Sequence, residues 1–266
     1  MKKLFIAFSS LLLVSCSALN FSANKKDADG FLSIKLNNSK VNLSLSEKQS
    51  FDDPKQTLVN KNTYEFMETT YSFLPAQEVL DNESTPYDYG AQTLNDGKKV
   101  MNYFKYTFYI KNTGDVSAAY EMKIGLKEHR TSDGSGRSSL SDTLRVMVFE
   151  NDVDDDSKDS IHTTAIYAKE SNETNYDKDG IRTRREFVAS HPVSNQEDDE
   201  HPLANTFKDQ NTIAEYKRSQ FDRNQIVRYT FVIWLEGEDP ESLADAQIPS
   251  VYAIQFSIDI SAYGIE

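Results

Sequence analysis

YFKYTFYIKNTGDVSAAYEMKIGL, residues 103–126, is the stretch whose reading decides the fold. In its first half Phe104, Tyr106, Phe108 and Ile110 share one face, and Tyr103, Lys105, Thr107 and Tyr109 share the other. Beyond Asn112-Thr113-Gly114-Asp115, apolar residues return at every second place as Ala118, Tyr120, Met122, Ile124 and Leu126, with Glu121, Lys123 and Lys127 opposite. A period of two marks a half-buried strand. Asn, Gly and Asp between two such runs mark a turn. The pattern predicts two long strands joined as a hairpin, each with one buried and one wet face.

Working outward, the same periodicity recurs. LRVMVFE (144–150), IHTTAIYA (161–168) and REFVAS (185–190) read as strands. QIVRYTFVIWLEG (225–237) puts Val227, Tyr229, Phe231 and Ile233 on one face, and VYAIQFSIDI (251–260) does so with Tyr252, Ile254, Phe256, Ile258 and Ile260. Nearer the start, FLSIKL (31–36) and VNLSLS (41–46) alternate around Asn-Asn-Ser-Lys and predict a first hairpin. TYEFMETTYSF (63–73) fits either a strand or a short helix. DPESLADA (239–246) is the one plausible helix, with Asp239 as N-cap and Pro240 at the first position. Many strands and almost no helix predict an all-β fold, an antiparallel β-sandwich of immunoglobulin-like or jelly-roll kind. The 14 tyrosines and 15 phenylalanines favour the same class.

The run YTFYIKNTGDVSAAYEMKI resembles the strand, Asn-Thr-Gly turn and strand of secreted sandwiches of the TasA and camelysin biofilm-matrix family. That resemblance implies an extracellular β-sandwich.

The chain opens MKKLFIAFSSLLLVSCSA. Lys2 and Lys3 followed by the apolar run Leu4–Val14 match the charged and hydrophobic regions of a secretory signal. The run is short of the about 20 apolar residues that span a bilayer. Leu13, Val14, Ser15 and Cys16 are similar to a bacterial lipobox. The resemblance implies diacylglyceryl on the Cys16 thiol, cleavage between Ser15 and Cys16, and lipid (palmitate-type) anchoring at the extracytoplasmic side of the cell membrane. A thiolate is the side chain nucleophilic enough for such alkylation. TasA-type proteins carry a different signal peptide and no lipobox, so fibre assembly is not carried over. The organisation expected is a signal peptide at 1–15, a polar spacer at 16–30, and a β-sandwich domain at 31–266 with long acidic loops, built on a core at 100–266 to which the hairpin at 31–46 is added.

Cys16 is the only cysteine among 266 residues, so the body stands without an internal disulfide. The formal net charge is −13, and loss of Lys2 and Lys3 with the leader would make it −15. Such a balance argues against nucleic acid, whose binding rests on cationic contacts to phosphate.

NYDKDGIRTRRE (175–186) is the sharpest motif. Asn175, Asp177, Asp179, Thr183 and Glu186 fall at positions 1, 3, 5, 9 and 12 of an EF-hand calcium loop, with Gly180 at the bend. Against calcium stand Lys178, Arg182, Arg184 and Arg185 in the same segment, and Arg182 at the usual aliphatic position. The alternative is a β-hairpin tipped by Asp-Lys-Asp-Gly. ENDVDDDSKD (150–159) and EDDE (197–200) read as solvated acidic loops, the latter between His191 and His201. DGSGRSS (133–139) reads as a loop and Trp234 as a core aromatic. No hydrolase, zinc or phosphate-loop motif is present. The expectation is a surface lipoprotein without enzymatic activity, acting as a structural or adhesive module toward an extracellular protein partner. A calcium- or solute-binding lipoprotein is the alternative, and a hydrolase the third.

Overall fold

The computed structural model of the chain describes residues 19–21, 32–39, 41–60, 64–67, 69–70, 87–88, 91–93, 99–101, 103–130, 140–153, 161–172, 174–177, 179–188, 203–237, 239 and 251–265. Its strands in chain order are β1 (Leu19–Phe21), β2 (Leu32–Ser39), β3 (Leu43–Ser46), β4 (Thr57–Asn60), β5 (Tyr64–Met67), β6 (Thr69–Thr70), β7 (Tyr87–Asp88), β8 (Ala91–Thr93), β9 (Lys99–Met101) and β10 (Tyr103–Asn112). They continue with β11 (Ala118–Arg130), β12 (Leu144–Asp152), β13 (Ile161–Ala168), β14 (Asn175–Tyr176), β15 (Arg182–Thr183), β16 (Asn205–Thr206), β17 (Thr212–Phe221), β18 (Ile226–Glu236) and β19 (Val251–Gly264). A single 3-10 turn, Leu140–Asp142, is the only helical element among the described residues.

Two sheets make the body. One has the order β17-β11-β19-β2-β4, and the larger has β16-β13-β12-β18-β10-β3, with β6 and β7 attached to β18 and β10. They face each other across one core, to which the larger sheet contributes Phe108 and Phe231 and the smaller Tyr120 and Ile258. The all-β expectation holds. The sheets are mixed, however: β2 runs parallel to β19 over eight residues, beside antiparallel neighbours.

Residues 103–112 and 118–130 do not form the predicted hairpin. β10 pairs antiparallel with β18 and β3, and β11 pairs with β17 and β19, so the two strands lie in opposite sheets. Alternation fixes which face is buried, and two rows of apolar side chains can meet across a core as well as lie side by side. The connection decides, and Asn112 shapes it. Its buried amide donates to the carbonyls of Val116 and Phe221, both at 2.9 Å, and its Oδ1 accepts the Gly114 N–H at 2.9 Å. Thr113 N–H reaches back to the Asn42 carbonyl at 2.7 Å. A Cβ on Gly114 would lie 3.2 Å from Asn112 Oδ1 and 3.3 Å from the Asn42 nitrogen, so a side chain there would press on the arch. Asn-Thr-Gly here builds an arch between sheets.

The segment 31–46 departs in the same way. β2 joins the smaller sheet and β3 the larger, so the expected first hairpin is a second arch. Asn38 holds it, with Oδ1 accepting the Leu43 N–H at 3.2 Å and Nδ2 donating to the Leu43 carbonyl at 3.1 Å. Within the expected spacer, Leu19–Phe21 is β1, paired with β5 in a small sheet of order β1-β5-β9-β8. The ambiguous 63–73 contains strands β5 and β6. Residues 185–188 form no strand beyond a bridge between Phe187 and Leu203, and 189–190 lie outside the described residues. The predicted helix likewise lies outside them, apart from Asp239.

One wet face was expected for each long strand, and β11 has it. Across the smaller sheet, Glu215, Lys123, Asp259 and Lys35 stand in one row of register partners with alternating charge. Opposite charges side by side on neighbouring strands are mutually favourable. The second face of β10 is different. Lys105 is 2% exposed, and beside it Met147, Phe149, Val232 and Trp234 form a second buried cluster on the outer side of the larger sheet. That sheet is therefore buried on both faces.

Candidate functional site

The calcium-like segment is a hairpin. β14 pairs antiparallel with β15, Asn175 opposite Thr183 and Tyr176 opposite Arg182. Asp177 N–H bonds the Ile181 carbonyl at 3.0 Å, and Gly180, at φ +74°, closes the tip. The five candidate ligands do not converge. Asp177 Oδ1 accepts the backbone N–H groups of Asp179 at 3.0 Å and Ile181 at 2.7 Å. Thr183 Oγ1 accepts the Arg185 N–H at 3.0 Å, Asn175 Nδ2 donates to the Arg185 carbonyl at 3.3 Å, and Asp179 is exposed. Glu186 is turned inward, with Oε2 3.6 Å from Arg145. Among the described residues no three His, Cys, Asp or Glu side chains gather as a metal group.

Glu186 leads to a charged centre that the sequence reading missed. Arg145 of β12 is 1% exposed on the outer side of the larger sheet. Its Nη2 donates to Asp239 at 2.9 Å, Nε to the Phe187 carbonyl at 3.0 Å and Nη1 to the Leu144 carbonyl at 3.3 Å. Asp239 is fully buried and Glu186 nearly so. A guanidinium offers donors in a fixed planar fork, and this one ties two distant segments, 186–187 and 239, onto β12. A buried charge needs such pairing and hydrogen bonding to be tolerated. The signal was present in LRVMVFE, where Arg145 shares a face with Met147 and Phe149. A charge on an otherwise apolar face calls for a partner elsewhere in the chain.

A second polar cluster bridges the two sheets. Arg218 of β17 donates to Glu150 at 3.0 Å and to Asp152 Oδ2 at 2.9 Å, both on β12, and Gln225 Nε2 reaches Asp152 at 3.3 Å. The guanidinium also lies 5.4 Å from the centre of the Phe221 ring. Beside it, the buried hydroxyls of Tyr120 and Tyr229 are 2.8 Å apart, and Tyr216 donates to Tyr167 at 2.9 Å. Burial, followed for Tyr120 by the Glu150 charge, pushes the Tyr120 phenol well above its ordinary value. Tyr229 and Tyr216 are raised too, again with burial as the main cause. Tyr120 and Tyr229 are phenols held in the protein interior, and Tyr216 is half-buried against the core. Glu150 and Asp152 open the acidic stretch 150–159, and both are paired with Arg218. Residues 154–160 lie outside the described residues.

A third cluster pairs a serine with a lysine. Ser141 Oγ donates to Glu128 and accepts from Lys169 Nζ at 3.1 Å, while Lys169 is held by Asp142 at 2.5 Å. A nucleophilic serine needs a neutral base and an open approach. Here the lysine sits against a carboxylate and Ser141 is 1% exposed, so the cluster pins the 3-10 turn between β11 and the end of β13. Trp234, expected in the core, is fully buried, with its indole N–H 3.4 Å from Glu236. Cys16, 133–139, His191, 197–200 and His201 lie outside the described residues. Among the described residues no helix is long and apolar enough to cross a membrane.

No family model, no curated protein and no solved structure matches the chain.

Proposed function

We propose that this chain is a bacterial surface lipoprotein, anchored through Cys16 at the extracytoplasmic side of the cell membrane, whose β-sandwich serves as a structural or adhesive module toward extracellular partners. The observation that carries the reading is the position of the sole cysteine, at the close of an apolar leader and directly after Leu13-Val14-Ser15. One buried acyl chain binds membranes marginally, and two or more hold a protein there. The body suits display. Its buried charged side chains join elements to one another, through Arg145 to 186–187 and 239, through Arg218 to β12, and through Lys169 to the 3-10 turn. The smaller sheet turns a polar face to solvent, the kind of surface a carried domain offers to contacts.

Palmitate-type labelling of the full chain expressed in a bacterium tests the anchor. Label on the parent, and its loss together with release into the soluble fraction in Cys16→Ala, is the expected result. Membrane retention of the alanine variant equal to the parent refutes it.

A further inference from the structure

Each of the two main sheets ends in two edge strands, and three of the four are short. β3 and β4 have four residues each and β16 has two. β17 has ten, Thr212–Phe221, and pairs on one side only, with β11. At its start the carbonyls of Thr212 and Ile213 accept the N–H groups of Asp209 and Lys208, where the chain turns in from β16. Beyond that turn, from Ala214 to Ser219, the backbone bonds β11 and nothing else among the described residues. An edge with alternate N–H and C=O groups left over is where a sheet takes on another strand.

Charge decides which strand fits. Ala214 and Tyr216 turn toward the core and Arg218 toward Glu150 of the larger sheet, whereas Glu215, Lys217 and Ser219 are exposed. The exposed residues end two rows that cross the smaller sheet. One row runs Lys35, Asp259, Lys123, Glu215, and the next ends in Glu121 and Lys217. Lys217 Nζ lies 3.1 Å from Glu121, and Glu215 is paired with Lys208. A strand that sets like charges against this edge is repelled, and one that sets opposite charges there is held in register.

The chain itself carries such a strand. When β17 meets β17 of a second copy antiparallel, about a two-fold axis through Tyr216, Glu215 faces Lys217 of the second copy and Lys217 faces its Glu215. The rows then join: Lys35, Asp259, Lys123 and Glu215 continue into Lys217 and Glu121 of the second copy, six charges alternating in sign. On the inner side the two Tyr216 rings become a cross-strand aromatic pair. Neighbouring registers fail. An axis through Glu215, Lys217 or Arg218 sets two like charges against each other, and one through Ala214 drives the pair into the turn at 208–211.

We infer that β17 is a self-recognition edge, through which two copies of the chain pair antiparallel about Tyr216 and join their smaller sheets into one. The interface is isologous, each copy offering the same edge, so assembly closes at two. The ladder is short, residues 214–218, and backbone hydrogen bonds supply the contact while the charged pairs select the register. The pairing goes beyond display of the domain and does not depend on the Cys16 anchor.

The test uses the full chain carrying Cys16→Ala, which has no thiol of its own and makes the outcome independent of acylation. Sedimentation equilibrium of this chain shows a concentration-dependent dimer. Glu215→Lys and Lys217→Glu each turn attraction into repulsion at two contacts and weaken self-association about thirtyfold. An equimolar mixture of the two variants restores the dimer, because each supplies the charge that the other lacks. Glu215→Cys and Lys217→Cys, prepared separately, form an intermolecular disulfide when mixed under mild oxidation and give far less of it alone. Emission of the buried Trp234 identical to that of the parent shows that each variant is folded. A chain that stays monomeric up to millimolar concentration overturns the pairing and leaves β17 an edge that no second copy joins. A dimer equally strong in both charge variants, or one whose mixed cysteine variants do not cross-link, places the interface elsewhere and overturns it as well. Growth beyond two copies refutes the closed, edge-to-edge arrangement.

Discussion

Replacing Arg145 by methionine removes the cation from beside Asp239 and Glu186 while keeping most of the side chain's volume. Both carboxylates are nearly inaccessible to water, at 0% and 4% exposure. Removing one partner of a buried ion pair costs about 3–5 kcal/mol, because the remaining charge keeps its desolvation penalty. The replacement also deprives the carbonyls of Phe187 and Leu144 of donors. Urea unfolding at neutral pH measures the loss. With a slope near 3 kcal/mol per molar, the midpoint falls by about 1–1.7 M. A companion variant, Arg145→Met with Asp239→Asn and Glu186→Gln, removes the charges together and recovers most of that loss, since a buried pair is often matched by neutral residues of similar volume. Arg145→Lys falls between, keeping the charge and losing the fork. A single methionine variant within about 1 kcal/mol of the parent would show that no charge is trapped there. A companion as unstable as the single variant would assign the loss to packing.

Four further outcomes follow from the same geometry. Tyr120 and Tyr229 are held neutral, with ionisation raised above the ordinary value, so their contribution is complete below about pH 10 and is lost as pH rises beyond it. Two such groups lower stability by about 2.7 kcal/mol per pH unit. Alkaline unfolding by circular dichroism should thus coincide with their ionisation by absorbance, and a folded parent that titrates two more phenols near pH 10 than its Tyr120→Phe/Tyr229→Phe variant would contradict it. Tyr120→Phe with Tyr229→Phe should flatten that slope at little cost at pH 7, whereas either alone costs about 1–3 kcal/mol by orphaning a buried hydroxyl. Arg218→Gln should lower stability by about 2 kcal/mol, scaled down from a fully buried pair because the site is about one-sixth exposed; unchanged thermal unfolding would show the inter-sheet clamp to be idle. Gly114→Ala forces a contact inside the arch and should cost about 1–3 kcal/mol, against about 1 kcal/mol for Gly180→Ala, where only the positive φ is strained; equal losses in urea would refute the arch geometry.

The strands and their buried faces were legible because a period of two is written in single side chains. Phe104, Tyr106, Phe108 and Ile110 are buried on the face that the pattern assigned, as are Val227, Tyr229, Phe231 and Ile233. Pairing was not legible. Alternation is indifferent to whether the next strand lies alongside or across the core, and at both arches the deciding contacts come from one asparagine side chain, Asn38 or Asn112. β17 escaped for another reason. Its sequence TIAEYKRSQF is polar because it is an edge strand, with Glu215, Lys217 and Ser219 outward and only part of its inner row in the core. Charged edges of this kind protect against unwanted strand addition. At the hairpin, spacing matched a calcium loop because Asp-x-Asp-Gly serves a turn equally well, and the closing Glu186 was claimed by an arginine 41 residues earlier in the chain.

A chain whose one cysteine is Cys16 has no second thiol with which to form an internal cross-link between its layers. The core accounts for the two facing sheets, but apolar contact alone does not select one arrangement of long connections over another. The polar clusters supply that choice. Arg145 accepts only segments that bring a carboxylate and a carbonyl to it, and Arg218 fixes the edge strand over β12. Each cluster is distant in sequence and close in space, so each constrains the chain as a cross-link would, without depending on redox conditions. Stability should then vary with charge-removing substitutions more than with reducing agent. A thermal midpoint that moves with dithiothreitol in the acylated chain would contradict this account, because the Cys16 sulfur is already a thioether in the proposed anchor and no other sulfur can pair.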